Sequence, residues 1–258
     1  MKSLKNWLLV LSVLSCFGCS SPVHEDGRGC AFVSDSIQYR VEFMSEGCVR
    51  ILSFPEGDTL VTKRLVVDSQ KPAFKDYKWK DTGQQLIFST RELSVAFDKE
   101  DAAFTFQEVS TGKLLLKEKE AKKARHFKRS VTGGEQCLEV TQRFVPTDDE
   151  AIYGLGQYQN GIMNYRGKSV LLLQANMDIV NPFLISTNGY GILWDNYSST
   201  KFEDTEEGYS FTSEVGDASD YYFVYGKNMD EVVAGYRELT GDVPMFGKWV
   251  YGCLLYTS

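Results

Sequence analysis

The chain has 258 residues, 43% hydrophobic and 24% charged, a composition that supports a sizeable core and excludes a disordered chain. Its 28 Lys and Arg stand against 35 Asp and Glu, for a formal net charge of -7. That balance repels a polyphosphate, so nucleic acid is excluded as a partner. The two histidines, His24 and His126, leave little material for a histidine-rich metal site or a Ser-His-Asp triad.

The first residues, "MKSLKNWLLVLSVLSCFGCSS", have a basic start at Lys2 and Lys5, a short apolar run from Trp7 to Leu14, and small or polar residues after it. The run is far below the roughly 20 residues of a spanning helix, and the pattern predicts an export signal over residues 1–18. "CFGC" resembles a bacterial lipobox with Gly18 before the lipidated Cys19, although Cys16 stands where Leu is usual. Cys16 is the competing attachment residue and suits the pattern less well. Acylation at Cys19 would anchor the chain to a bacterial membrane, periplasmic or cell-surface, with residues 19–36 as a flexible tether. A plain secretory signal is the alternative. Beyond Cys19, the spacing of Cys30, Cys48, Cys137 and Cys253 matches no zinc pattern. A Cys30 to Cys48 disulfide and a set of small buried thiols are both compatible with it.

From Ile37 the sequence alternates apolar and polar residues in short runs: "IQYRVEF", "CVRILSF", "QLIFST", "LSVAFD" and "AAFTFQEV". Period-2 runs of this length are half-buried strands. "SEG", "PEGD", "STGK" and "TGGE" supply turn residues between them. Asn188-Gly189, between "PFLIS" and "GILWDN", predicts a tight hairpin with positive φ at both residues. So many antiparallel strands bury their apolar faces by closure or by a second sheet, which argues for a β-sandwich.

The charge run Lys117 to Arg129, "KEKEAKKARHFKR", has its field partly cancelled by Glu118 and Glu120. It reads as a solvated hairpin or edge strand kept from aggregating by Lys. "TDDEA" (Asp148, Asp149, Glu150) and "EDTEEG" (Glu203 to Glu207) read as solvated loops, and no acid/base pair is argued from their spacing. Trp194 and Tyr197 read as core aromatics before sugar platforms. "YGLG" followed by "QYQNG" has neither GK[ST] nor a helix start behind it, which excludes a phosphate loop. One helix is predicted in "NMDEVVAGYRELTG", with Asn228 and Glu231 as a capping box, Gly241 closing it, and Val232, Val233, Tyr236 and Leu239 on one face.

From Cys137 to about Gly252, four motifs in order carry a family likeness: "LEVTQRF", "AIYGLGQYQNGIMNYRG", "NMDIVNPFLISTNGYGILWDNYSS" and "SDYYFVYGKNMDEVVAGYRELTGDVPMFGKW". This segment resembles the end of the N-terminal domain of glycoside hydrolase family 31, the α-glucosidase and α-xylosidase family. The resemblance implies a mainly β fold, a galactose-mutarotase-like β-sandwich over residues 37–242, truncated at the start of a (β/α)8 barrel. Residues 243–258 would be that start, with "YGCLLYTS" as an aberrant tail. It also implies retaining hydrolysis by two carboxylates about 5 to 5.5 Å apart, on barrel strands beyond Ser258, so no catalytic residue is expected in this chain. Gln157 in "GLGQ" leans towards bacterial α-xylosidases, hence towards terminal α-xylosyl residues of xyloglucan-type oligosaccharides, with α-glucosidase the near alternative. The loop Gln174 to Pro182 matches one that walls the sugar pocket. Asp178, and more weakly Asn176, are the expected sugar contacts, a carboxylate being able to accept from two hydroxyls at once. For Asp178 the competing reading is a turn residue bonding its own backbone. No cofactor and no metal are expected. The reading set against this one is a stand-alone carbohydrate-binding β-sandwich lipoprotein.

Overall fold

The computed structural model describes residues 23–58, 65–67, 72–120 and 125–251. The export signal, Cys19 and the tail 252–258 lie outside the described residues. Within them the chain is two antiparallel sheets packed face to face. One is built from β1 (His24–Glu25), β2 (Cys30–Ser34), β3 (Ile37–Phe43), β4 (Cys48–Pro55), β12 (Ile152–Gln157), β14 (Ile179–Ser186), β15 (Tyr190–Trp194) and β18 (Ser219–Tyr225), in the order β1-β2-β3-β4-β18-β15-β14-β12. The other holds β5 (Lys78–Asp81), β6 (Gln85–Ser89), β7 (Leu93–Asp98), β8 (Ala103–Glu108), β9 (Leu114–Glu118), β11 (Glu135–Val145), β13 (Ser169–Leu172), β16 (Thr200–Thr205) and β17 (Gly208–Gly216). Its order is β13-β16-β17-β11-β9-β8-β7-β6-β5, with β10 (Arg125–Thr132) paired to β11. The expected sandwich is therefore what the chain forms.

Alternation of polarity places the second sheet. In β7, Leu93, Val95 and Phe97 are buried while Ser94, Ala96 and Asp98 between them are only partly so, because successive side chains point to opposite faces. Between the sheets the inward residues form one core rich in aromatics: Phe106 stacks on Phe223 at 4.2 Å and Phe144 meets Tyr221 edge-on at 5.1 Å. The middle of the first sheet departs from alternation. β15 and β18 are buried along their whole length, because α1 (Met229–Thr240) covers their outer face. Val232 and Leu239 of α1 pack with Phe183, Leu193, Tyr222 and Val224, and Tyr236 stacks on Phe183 at 4.2 Å.

Asn228 and Glu231 cap the helix, but the Glu231 carboxylate reaches back to Lys227, one residue beyond the N-cap amide that a capping box uses. Asn228 Oδ1 accepts from Glu231 N at 2.9 Å, Glu231 Oε2 accepts from Lys227 N at 3.0 Å, and Gly241 N donates to Arg237 O at 2.9 Å. Val233, expected on the docked face, is instead 40% exposed. At 3.6 residues per turn it lies about 100° round from Val232, beyond the stripe that Val232, Tyr236 and Leu239 define.

Two further expectations are corrected, and of the two readings of Cys30 and Cys48 the buried thiols are what the chain forms. The tether does not extend to residue 36: β2 belongs to the first sheet, and its Cys30 and Phe32 are core residues. Cys30 and Cys48 are buried thiols and not a disulfide. The 187–189 connection is a three-residue loop, with Ser186 paired to Tyr190 and φ of +90° at Gly189 but not at Asn188. Asn188 instead donates to Leu115 O at 2.6 Å, tying the loop to the other sheet.

The charge run at 117–129 is not all solvated either. Glu118 is fully buried, and four donors converge on its carboxylate: Arg125 Nη2, Phe104 N at 2.9 Å, Gln142 Nε2 at 3.0 Å and Tyr221 OH at 2.7 Å. Tyr221 comes from the first sheet and the other three from the second, so this carboxylate joins the sheets. The Arg125 guanidinium also lies over the Tyr39 ring at 5.0 Å. Removing one member of such a pair strands a buried charge. Glu118→Ala is expected to lower the unfolding free energy by about 3–5 kcal/mol, read as a reduced urea midpoint, with Glu118→Gln losing less; a loss under about 1 kcal/mol would contradict this account.

Candidate functional site

Two of the four family-like motifs, 151–167 and the start of 176–199, meet at one edge of the sandwich. β12 is the edge strand of the first sheet and β13 that of the second. The chain passes from β12 to β13 through residues 158–168 and returns from β13 to β14 through residues 173–178, so two crossovers span the gap between the sheets at the same edge.

The glycines of "YGLG" shape the first approach to it. Gly154, Leu155 and Gly156 have φ of +99°, +66° and +120°, and the β12 to β14 register slips between Gly154 and Gly156. This is a β-bulge, which bends and re-aims a strand. At Gly156 a Cβ would fall 2.0 Å from Ile179 O, so the close approach of β14 requires glycine. Leu155, a non-glycine in the left-handed region, is held there by complete burial.

The 173–178 turn carries the residues expected to meet sugar. Asp178 N donates to Ala175 O at 3.3 Å, and Met177 has φ of +70°. Gln174 braces the turn from inside it: its Nε2 donates to Asp178 O at 2.9 Å and its Oε1 accepts from Val180 N at 3.2 Å. The bracing that the competing turn-residue reading assigned to the Asp178 side chain is supplied by Gln174. Asp178 is half-buried and Asn176 exposed, both within this turn. Tyr158 lies close by. Burial, with the charges of Tyr165 and Asp178, pushes its phenol up to about 12, and its OH donates to Leu155 O at 3.0 Å. Around this rim Met163, Leu171, Leu173, Met177 and Ile179 are exposed.

Beneath the rim sits a cluster that sequence reasoning missed. Glu150 and Asp204, expected in solvated loops, are buried. Arg166 Nε contacts Asp204 Oδ2 at 2.9 Å, and its Nη1 lies 3.7 Å from Glu150 Oε1. Glu150 also accepts from Tyr190 OH at 2.9 Å and Ser186 Oγ at 3.0 Å. Burial raises its carboxyl above the ordinary range, and the hydrogen bonds from Tyr190 and Ser186 and the charge of Arg166 only partly offset that. The one signal for this cluster was Arg166 itself, a lone cation inside the motif "NYRG". Glu150 and Asp204 point into the sandwich, so neither faces a ligand at the rim.

Trp194 is fully buried, donates from Nε1 to Ser213 Oγ at 2.9 Å and stacks on Phe211, which removes it as a sugar platform. Tyr197 is 55% exposed, and its OH accepts from Leu65 N at 2.8 Å. Beyond α1, residues 242–250 lie open, with Met245 92% and Trp249 83% exposed. Lys248–Tyr251, expected to lead into a barrel strand, is a 3-10 turn. Among the described residues, no group of three or more His, Cys, Asp and Glu side chains is placed to hold a metal ion.

Comparison with known proteins agrees with this architecture. Residues 38–203 match the family model described as the glycosyl hydrolase 31 N-terminal galactose mutarotase-like domain. An α-xylosidase of Saccharolobus solfataricus is 34% identical over 232 residues, covering 84% of this chain and 30% of the relative. "Alpha-glucosidase 2" of Bacillus thermoamyloliquefaciens is 27% identical over 241 residues, covering 86% of this chain and 29% of the relative. Among solved structures, a family 31 α-xylosidase of Xanthomonas citri superposes with a TM-score of 0.79 at 22% identity, over 89% of this chain and 41% of that one. The chain thus spans about a third of the length of the curated relatives named here. With a family model matched over most of the sandwich, the chain belongs to glycoside hydrolase family 31 and corresponds to the N-terminal domain of its enzymes.

Proposed function

We propose that this chain is the N-terminal sandwich of an exported, retaining α-glycosidase that removes terminal α-xylosyl residues from xyloglucan-type oligosaccharides. Within that enzyme, the turn at 173–178 would present Asp178, with Asn176 beside it, to hydroxyls of the terminal sugar. The observation that carries the site is the double crossover at the sandwich edge, where a braced turn holds a half-buried carboxylate at the rim. A rigidly held acceptor loses little freedom on binding and discriminates by hydrogen-bond geometry. The acid and nucleophile of the retaining mechanism would stand on loops at the C-terminal ends of the strands of a (β/α)8 barrel. The buried carboxylates here are committed elsewhere: Glu150 and Asp204 face Arg166, Glu118 faces Arg125, and Asp220 faces Arg50. The open apolar run from Val243 to Val250 supports a further domain, since exposed Met245, Phe246 and Trp249 want cover. The choice of α-xylose rests on Gln157 and on the α-xylosidase of Saccharolobus solfataricus; α-glucose is the second reading, favoured by the relative named an α-glucosidase.

Reading the coding DNA in frame past codon 252 tests the enzyme directly, the expected result being a barrel with two catalytic aspartates. Expressed whole, that enzyme should release xylose from an aryl α-xyloside. Asp178→Ala should then lower kcat/KM by about 10- to 100-fold, the effect of losing charge-assisted hydrogen bonds to substrate. An unchanged kcat/KM would remove Asp178 from the site, and a stop codon directly after the sandwich would favour a stand-alone carbohydrate-binding lipoprotein.

Anchoring is proposed through Cys19, on the strength of "FGC" followed by Ser20, Ser21 and Pro22. Three acyl chains exceed the two signals that stable attachment needs. Expressed from its own start in a bacterium, the protein should fractionate with membranes and yield an acylated N-terminal Cys19 by mass spectrometry. Cys19→Ala should abolish that acylation; a soluble product ending elsewhere would mark a plain secretory signal.

A further inference from the structure

The Arg166 cluster joins four parts of the chain. Thr147 and Glu150 precede β12, Arg166 is on the 158–168 crossover, Asp204 is on β16, and Tyr190 with Ser186 flanks the β14 to β15 loop. The crossover is tied to both sheets at this point and at Asn164 beside it. On the side of the first sheet, Tyr165 N donates to Ile152 O at 2.8 Å, while Asn164 Oδ1 accepts from Ile152 N at 3.1 Å and from Arg166 N at 3.1 Å. On the side of the second sheet, Gly167 N donates to Asp204 Oδ2 at 2.7 Å and Asp204 N donates to Lys168 O at 2.9 Å. Arg166 Nη1 adds a bond to Thr147 O at 3.2 Å. The start of the same crossover, Tyr158, lies within the field of Asp178.

We infer that Arg166 is a positioning residue whose clasp between Glu150 and Asp204 fixes the 158–168 crossover across the gap between the sheets, and through it the placing of the 173–178 turn. The clasp is over-supplied with negative charge: two buried carboxylates share one guanidinium, and Asp204 Oδ1 is buried with no hydrogen-bond partner. The groups facing Glu150 are Arg166 on the crossover, Asp204 on β16 across Arg166, and the phenols Tyr190 on β15 and Tyr209 on β17, whose hydroxyls are 3.1 Å apart. Arg166 is the one cation in that set. Burial raises the Glu150 carboxyl, so Glu150 is the member of the clasp through which pH acts.

The sign of the pH response follows from the raised carboxyl of Glu150. A closed clasp that binds the proton more tightly than an opened, hydrated one is favoured by acid. Its extra stability is fully present below the ordinary carboxylate range and is lost as pH rises through the raised value. The consequence for sugar contact rests on the reading of Asp178 given above; the clasp itself does not.

Amide hydrogen exchange on the 258-residue chain, which involves no sugar, tests the clasp separately from that reading. In Arg166→Met, peptides covering 158–168 and 173–178 should exchange about 10- to 100-fold faster, the range for a lost charge-assisted hydrogen bond, while β6, β7 and β8 stay unchanged. Uniform acceleration over the whole chain, or none at the crossover, would overturn the proposal. A second variant decides the matter if Arg166→Met does not fold. Corrected for intrinsic exchange, crossover protection in the native chain should fall as pH rises past the raised Glu150 value, and Glu150→Gln should abolish that dependence. The same pH profile in both proteins would sink it.

Discussion

Two sheets of this size press together a nearly continuous layer of Phe and Tyr, and the carboxylate of Glu118 stands in the middle of it. Aromatic packing drives the sheets together but is tolerant of sliding. A fully buried carboxylate is not, because each of its lone pairs must meet a donor or the charge is stranded. Arg125, Phe104 N and Gln142 approach it from one sheet and Tyr221 from the other. Gln142 passes the connection on, its Oε1 accepting from Ser219 Oγ at 3.0 Å across the same gap. The face-to-face register of the sandwich is set where these groups meet, and the position of every edge strand follows from it.

The same device recurs wherever a carboxylate is taken out of water here. Arg50 lies between Glu42 and Asp220, with Nε 2.7 Å from Asp220 Oδ1 and Nη1 3.0 Å from Glu42 Oε2. Arg166 lies between Glu150 and Asp204. A guanidinium suits this work because its planar fork reaches two acceptors at once and stays protonated. The clusters divide the labour: Glu118 and Arg125 join the sheets in the middle, Arg50 ties neighbouring strands within the first sheet, and Arg166 ties the crossing chain at the edge.

That division explains which parts of the structure were legible in the sequence. Strands such as "LSVAFD" were readable because one-sided burial imprints a period of two on adjacent residues. The α1 cap was readable because its chemistry is contained in five consecutive positions, Lys227 to Glu231. Glu118, Glu150 and Asp204 were misread as solvated because they sit in charged runs whose neighbours are solvated, and their partners arrive from up to 103 residues away, as Tyr221 does at Glu118. β2 was taken for tether because Gly27 and Gly29 precede it and its five residues carry a single clear alternation, buried Cys30 and Phe32 about half-buried Ala31. At the candidate site, Asp178 and Asn176 lie in the 173–178 turn, and neither Gln174, which braces that turn, nor Arg166 on the other crossover was singled out. The role of Arg166 depends on Asp204, which lies across the gap between the sheets, and that of Gln174 on the fold of its own turn.

The placing of the turn then has a physical reason that is independent of any ligand. An edge where two sheets end is where loop backbone meets water, and a bare edge invites pairing with another strand. Here the chain closes the edge by crossing it twice, from β12 to β13 and back to β14; the first crossover packs Tyr158, Ile162 and Tyr165 on the core, and neither adds a strand. Closing the edge needs the sharp redirection supplied by the Gly154 to Gly156 bulge and an internal tether to hold the first crossover down, which Arg166 supplies. Once those are in place, the second crossover can be short, six residues braced by a single Gln174 side chain. A short turn braced from within has few ways to move, and it holds Asp178 with its backbone already ordered.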